Sequence, residues 1–277
     1  MHTPLDSPIA HARTWLLVSA ADPEAIAAAH TSNADVLILD LEDGVPERNK
    51  SIAREVAARW LRVGHPAWVR VNDASSDHWA DDLHMLSHID NISGVMLAKT
   101  ENAEQVTATA ARLPAGTPIV ALIESALGLE EARSIACADA TVRLAFGSGD
   151  FRRDTGSAAD STSLAYARSR LVIASRAERI APPIDGPTPA DDDTELRAGI
   201  DVGVAAGMTG KLCQNPEQVP VINTALSPSE QDISWSDEII ARLGTDGTYI
   251  TNDFHRPKLA RALHIRQISR AFAAAAT

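Results

Sequence analysis

Short unbroken apolar runs alternate along this chain with stretches whose apolar residues recur every three or four positions. The runs are Trp15–Ser19, Val36–Asp40, Pro66–Asn72, Gly94–Lys99, Pro118–Glu124, Val142–Asp150 (a strand passing into a loop), the minimal Pro183–Gly186 and Gly207–Gln214. Continuous apolar runs rich in β-branched residues predict strands buried on both faces, as in a parallel sheet. Helices are predicted between them. Pro23–His30 has Asp22 as its cap and proline at its first position. Others run from Glu47 to about Arg62, through Leu83 and Leu86, and over Ala103–Arg112, Leu127–Cys137, Thr162–Arg179 and Pro216–Leu226, and Leu196, Ile200 and Val204 mark one more helical face. Asp191, Asp192 and Asp193 precede that last face, where negative charge favours a helix N-terminus. Repeated right-handed crossovers bring the eighth strand back to the first, so residues 1–226 predict a closed (β/α)8 TIM barrel. The competitor is an open doubly wound sheet, against which no GxGxxG follows the first strand and no GxxxxGK[ST] occurs. Residues 227–277 predict a short C-terminal helical extension, a lid, an oligomer arm or packing, in which the chain continues through Pro228–Leu243 and a turn at Gly244-Thr245-Asp246-Gly247 to a final basic helix about Lys258–Arg270.

Composition narrows the class. The 277 residues carry 37 acids against 25 Lys and Arg, a formal net charge of -12, without a basic stripe interleaved with aromatics, which argues against nucleic acid as the main partner. Cys137 and Cys213 lie too far apart in sequence for a CxxC zinc site or a disulfide framework, and no run of 18 apolar residues occurs, so the expectation is a cytoplasmic protein without a membrane partner. His84 and His88, four apart on one predicted helical face, lack an HExxH pattern and a third ligand nearby, and read as a solvated or packed face rather than zinc.

The candidate chemistry gathers where the strands end. Asp40, Glu42, Asp43, Arg70, Asn72, Lys99, Glu124, Asp150, Asp185 and Asn215 all fall at or after predicted strand C-termini, the end at which barrels carry their active sites. Two bare carboxylates about 4 Å apart repel by roughly 4 kcal/mol at an effective dielectric near 20, so Glu124 and Asp150 call for a positive group between them. Two carboxylates with room for water describe magnesium better than zinc. Arg70 offers a planar fork that takes a carboxylate in bidentate fashion. A divalent ion beside an arginine equips a site for a 2-oxo acid.

The same pieces resemble the HpcH/HpaI aldolase and citrate lyase β-subunit family, in particular its stand-alone citrate-lyase-β-like members. They are Arg13 with the first strand, ADVLILDLEDGV with Lys50 and Ala53-Arg54, VRVN, MLAK, IESALG, FGSGDFRRDTG, IDGP and GMTGKLCQNPEQV, in the family's order over about Arg13 to Pro228. The resemblance implies a homotrimer or hexamer performing Mg2+-dependent C–C cleavage or formation between an acyl-CoA and a 2-oxo acid. It places Glu124 and Asp150 on the family's magnesium ligands and Arg70 on the oxo-acid arginine. Glu42 and Asp43 fall on acids that support the metal waters and the arginine, and Arg13, Lys50 and Lys99 on rim positions. Asn215 stands where many members carry histidine, as a substrate contact or the start of the last helix. Malyl-CoA-type lyases use an acid of a C-terminal lid; Asp246 and Asp253 are the acids available here. The resulting expectation is a lyase of citryl-, malyl- or citramalyl-CoA type. The alternatives are a class II pyruvate aldolase without CoA and a regulatory protein that binds metal and oxo acid without turnover.

Overall fold

The computed structural model describes residues 7–275 apart from Asn91 and Asp191. Eight parallel strands close into a barrel in sequence order: β1 (Thr14–Ser19), β2 (Val36–Asp40), β3 (Trp68–Val71), β4 (Gly94–Leu97), β5 (Ile119–Ile123), β6 (Thr141–Phe146), β7 (Ile184–Asp185) and β8 (Gly210–Cys213), the last pairing with β1. The expected (β/α)8 architecture is therefore the observed one. Alternate residues of the strands fill the interior: Trp15 and Leu17, Val36 and Ile38, Val120 and Leu122, with Trp68, Met96, Ile184 and Leu212. Trp15 and Trp68 meet edge to face at 5.2 Å, an arrangement in which the positive ring edge faces the negative ring face.

A buried arginine closes the N-terminal end of this core. Arg143 of β6 donates from Nε to Pro182 O (2.8 Å), from Nη1 to Ala12 O (2.9 Å) and from Nη2 to Thr209 Oγ1 (3.0 Å), tying together the segments that enter β1, β7 and β8. Burial pushes its pKa down to about 9.

Two local readings differ from expectation. β6 stops at Phe146 and Ser148–Thr155 is a helix, so GSGD opens a helix rather than trailing a strand. The last ladder bond, Gly147 N to Ile123 O, is followed at once by the first helical one, Phe151 N to Gly147 O. The single helix expected over Leu127–Cys137 is broken at Glu131 into Ala126–Glu130 and Ala132–Cys137. Asp192 caps the helix Asp193–Ala206 by accepting from Thr194 N and Glu195 N, whereas Asp191 lies outside the described residues.

Two compact units divide the chain after Asn223. The second contains helices Glu230–Leu243 and His255–Ala275, the latter starting earlier than expected, around Ile239, Ile240, Leu243, Leu259 and Ala262. Arg261 stacks over Trp235 at 5.0 Å there. Among the described residues no helix is long and apolar enough to cross a membrane.

Candidate active site

The site is built from the turn after β2. Asp40 ends that strand in register with Arg70 of β3. Its carboxylate takes Arg70 Nε at 2.7 Å and Nη2 at 2.6 Å. It also accepts from Glu42 N and Gly44 N, both at 2.9 Å, and so folds its own turn. Gly44 is required here, because a Cβ would come within 2.2 Å of Asp40 Oδ2. The Arg70 fork expected to be open is thus half occupied. Its Nε–Nη2 edge belongs to Asp40 and its Nη1 lies 3.3 Å from Glu42 Oε2, so a ligand carboxylate has the Nη1–Nη2 end left to it. Burial opposes the Arg70 charge, but Asp40, Glu42 and Glu124 together hold the guanidinium protonated above its ordinary value.

The same turn carries Glu42 and Asp43 to the rim. Glu42 is buried, accepts from Asp43 N at 2.8 Å and is clamped by Lys99 Nζ, which also reaches Asp43 Oδ1 at 3.3 Å. Burial raises the Glu42 carboxyl, outweighing the Arg70 charge and the hydrogen bond from Lys99. Lys50 lies beneath, its ammonium saturated by Leu41 O (2.7 Å), Glu42 O (2.8 Å) and Asn72 Oδ1 (2.8 Å). Lys50 therefore supports the turn and has no donor to spare for a ligand.

Glu124 follows β5 and is buried, with one hydrogen bond among the described residues, from Lys99 N to its Oε1 at 2.8 Å. Lys99 makes that bond from a left-handed backbone conformation, φ 46°, which a lysine rarely adopts and which a well-determined site can impose. Gly147 packs on the other oxygen, a Cβ there meeting Glu124 Oε2 at 2.3 Å. Burial pushes the Glu124 carboxyl up to about 8, with Arg70 opposing and the carboxylates of Glu42 and Asp150 adding to the rise. Asp150 sits in the first turn of the helix Ser148–Thr155, paired with Arg153 Nη2 at 3.0 Å.

These donors fit a hard divalent cation. A buried carboxylate with a single hydrogen bond among the described residues and two further carboxylates acting on it is stabilised by a proton or a metal ion. Carboxylate oxygens are the donors magnesium takes, in the small number it usually accepts from a protein beside water and ligand oxygens; among the described residues no group of three or more His, Cys, Asp or Glu gathers at one point.

Two expected site residues lie elsewhere or do other work. Arg13 precedes β1 and binds Asp35, which precedes β2, through Nε (2.8 Å) and Nη2 (2.7 Å). That is the barrel's N-terminal end, opposite Glu124, and a strand's length separates Arg13 from the rim. Asn215 accepts from Glu217 N at 2.9 Å and so caps the turn Pro216–Gln218, the helix-starting role. In the second unit Asp246 is engaged by Thr248 N at 3.0 Å in its own turn, and Asp253 is exposed. Sequence reading counts Asp40 among the rim residues without a role and does not single out Asp82 at all. Asp40 was readable from its D-x-E-x-G spacing, two and four residues ahead of the amides it takes up. Asp82, fully buried on the helix Asp77–Leu86, accepts from Asn72 N (3.0 Å) and Nδ2 (2.7 Å), a pairing across sequence that no local pattern announces.

The description of HpcH/HpaI aldolase/citrate lyase matches residues 13–216, and that of the HpcH/HpaI aldolase C-terminal domain matches 231–273. The chain belongs to the HpcH/HpaI aldolase/citrate lyase family. A citrate lyase subunit beta-like protein of Mycobacterium tuberculosis is 33% identical over 238 residues, 82% of this chain and 83% of the relative. The mitochondrial citramalyl-CoA lyase of Homo sapiens is 28% identical over 256 residues, 83% of this chain and 75% of the relative. Among solved structures, protein CitE of M. tuberculosis in complex with magnesium, acetoacetate and coenzyme A superposes with a TM-score of 0.77 at 28% identity, over 94% of this chain and 99% of that one. The M. tuberculosis citrate lyase beta subunit complexed with oxaloacetate and magnesium gives 0.71 at 31%, over 80% and 100%. This HpcH/HpaI family member is accordingly a carbon–carbon lyase of a CoA-related kind.

Proposed function

We propose that this protein is a Mg2+-dependent lyase that cleaves or forms a β-hydroxyacyl-CoA of the citryl-, malyl- or citramalyl-CoA type from an acyl-CoA and a 2-oxo acid. The observation that carries this reading is Glu124, a buried carboxylate with a single hydrogen bond among the described residues, raised to about 8 with the Arg70 and Asp150 charges acting on it. Glu124 and Asp150 would hold the ion, and the Nη1–Nη2 end of Arg70 would hold the oxo-acid carboxylate. A bound magnesium would supply Lewis-acid polarisation of the keto oxygen and charge stabilisation as the C–C bond forms or breaks. The magnesium, oxaloacetate and coenzyme A in the related structures support this choice of ligands.

The protein's own residues account for the rest. Asp40 fixes the plane of the guanidinium, so a carboxylate meets a preorganised donor pair and loses little freedom on docking. Glu42 pairs with both Arg70 and Lys99 and so fixes the two cations at the rim. Lys99 fixes two acids at once, Glu124 through its amide and Glu42 through its ammonium.

The testing experiment is calorimetry of the full chain with oxaloacetate, pyruvate and glyoxylate, with and without magnesium, followed by addition of acetyl-CoA. Magnesium-dependent binding of one acid, with turnover only when the thioester is present, is the expected result. Turnover of a hydroxy-oxo acid without CoA would assign a pyruvate aldolase instead, and binding of none of the acids would remove the site assignment.

A further inference from the structure

A second constellation lies on the outside of the barrel. A groove of about 780 Å³ runs between the helices Lys50–Arg62 and Asp77–Leu86. Arg54, Arg59 and Arg62 line one wall and His84 and His88 the other, with Ala58 and Met85 as apolar lining. The two imidazoles stand 4.8 Å apart, and His88 Nδ1 lies 2.7 Å from His84 O. That carbonyl can only accept, so Nδ1–H donates, and Nε2 is left to take a proton or an outside partner. The acids of the groove are Glu55 and Asp81. Asp81 is engaged by Arg54 at 3.3 Å, whereas Arg59 and Arg62 make no ion pair among the described residues. Their place in the last turn of their helix accounts for two cations near its C-terminus but not for the facing imidazoles. In a chain of net charge -12, three guanidiniums and two titratable rings around one groove form a local field suited to a compact anion with several charged oxygens.

The groove is also wired to the rim. Arg54 Nη1 reaches Asp82 Oδ1 at 3.2 Å. Asp82 holds Asn72, and Asn72 Oδ1 accepts from Lys50 Nζ at 2.8 Å. Lys50 in turn holds the carbonyls of Leu41 and Glu42, the backbone of the turn that presents Glu42 to Arg70 and Lys99. Every link after Arg54 is buried.

We propose that this groove is an effector site for a small anion of the phosphate class, and that its occupancy is transmitted to the Asp40–Gly44 turn through Asp82, Asn72 and Lys50. An incoming anion competes with Asp81 and Asp82 for Arg54, and loosening that pair loosens the first link. The probe is pyrophosphate, titrated calorimetrically into the full chain in magnesium-free buffer, with amide hydrogen exchange measured in the free and saturated protein. One-to-one binding is expected, at least about tenfold weaker in the Arg59→Ala/Arg62→Ala double variant. Arg197→Ala, which removes an exposed arginine of another helix, should bind as wild type, and saturation should change exchange over residues 40–46 but not over 126–137. Absence of binding, equal weakening in Arg197→Ala, or loss in Arg70→Lys would overturn the site. Unchanged exchange over 40–46 with the groove saturated would overturn the transmission.

Discussion

Asp40 and Arg70 leave adjacent strands in register and lock together, side-on, at 2.7 and 2.6 Å. One carboxylate thereby orients the arginine and closes the turn that delivers Glu42. Asp40→Asn keeps the shape but removes the charge and turns one acceptor into a donor facing Arg70 or Gly44 N. Breaking one partner of a buried pair costs about 3–5 kcal/mol, and urea unfolding should show a loss of that order. The magnesium-dependent affinity for the oxo acid should fall with it, by at least about tenfold, because Arg70 loses its fixed plane. Wild-type affinity in a folded Asp40→Asn protein would mean that Arg70 needs no such orientation.

Arg70→Lys should weaken oxo-acid binding at least about tenfold, since a point charge replaces the two-donor end left free by Asp40. Calorimetry with and without magnesium checks it; equal affinity would take Arg70 out of the site.

The pH dependence of the metal-free protein follows from Glu124. Its carboxyl ionises near 4.5 in the unfolded chain and near 8 in the folded one. Between these values the folded state holds a proton that the unfolded state has lost, so stability falls as pH rises through that window. Under the proposed assignment magnesium would replace the proton, and its affinity should climb about tenfold per pH unit up to about 8 and then level off. Thermal unfolding from pH 5.5 to 9, with and without magnesium, should show a stabilisation that grows with pH. Glu124→Gln should remove both the pH slope and the magnesium effect; a magnesium shift surviving in that variant would place the ion elsewhere.

Much of this arrangement was legible in the sequence, because apolar strands of a parallel barrel are continuous runs and the polar residue that ends each run is set at the rim by the fold. Glu124 directly follows its strand, and Arg70, Glu42 and Asp150 lie within a few residues of a strand's end. Arg13 could not be placed correctly by the same logic, since it stands before its strand rather than after it and salt-bridges Asp35 at the far end. Which end of Arg70 remained open was also hidden, for it depends on the register of two strands 30 residues apart in sequence. The short helix Ser148–Thr155 escaped because two glycines within GSGD mask a helix start in any propensity reading.

Gly147 and Gly149 supply a matched pair of tests. A Cβ on Gly147 would lie 2.3 Å from Glu124 Oε2, whereas one on Gly149 meets nothing within 4 Å. Gly147→Ala should cost about 1–3 kcal/mol in urea unfolding and displace the Glu124 carboxylate, weakening magnesium binding at least about tenfold. Gly149→Ala, inside the helix Ser148–Thr155, should leave binding intact and stabilise by up to about 1 kcal/mol. Equal magnesium affinity in both variants would separate Gly147 from the metal site.

Arg143 tests the opposite end of the barrel. It is fully buried, pushed down to about 9 by that burial, and its guanidinium serves carbonyl and hydroxyl oxygens from the entrances to β1, β7 and β8. Arg143→Met preserves the apolar stem and leaves those oxygens without their donors. Each buried acceptor so stranded costs about 1–3 kcal/mol, so the variant should lose at least about 3 kcal/mol in urea unfolding. Magnesium affinity in the folded fraction should stay at its wild-type value, because Glu124 and Asp150 stand on the other rim. A fall in affinity out of proportion to the folded fraction would mean that strain at the closed end of the barrel propagates along β6 to the turn that carries Gly147.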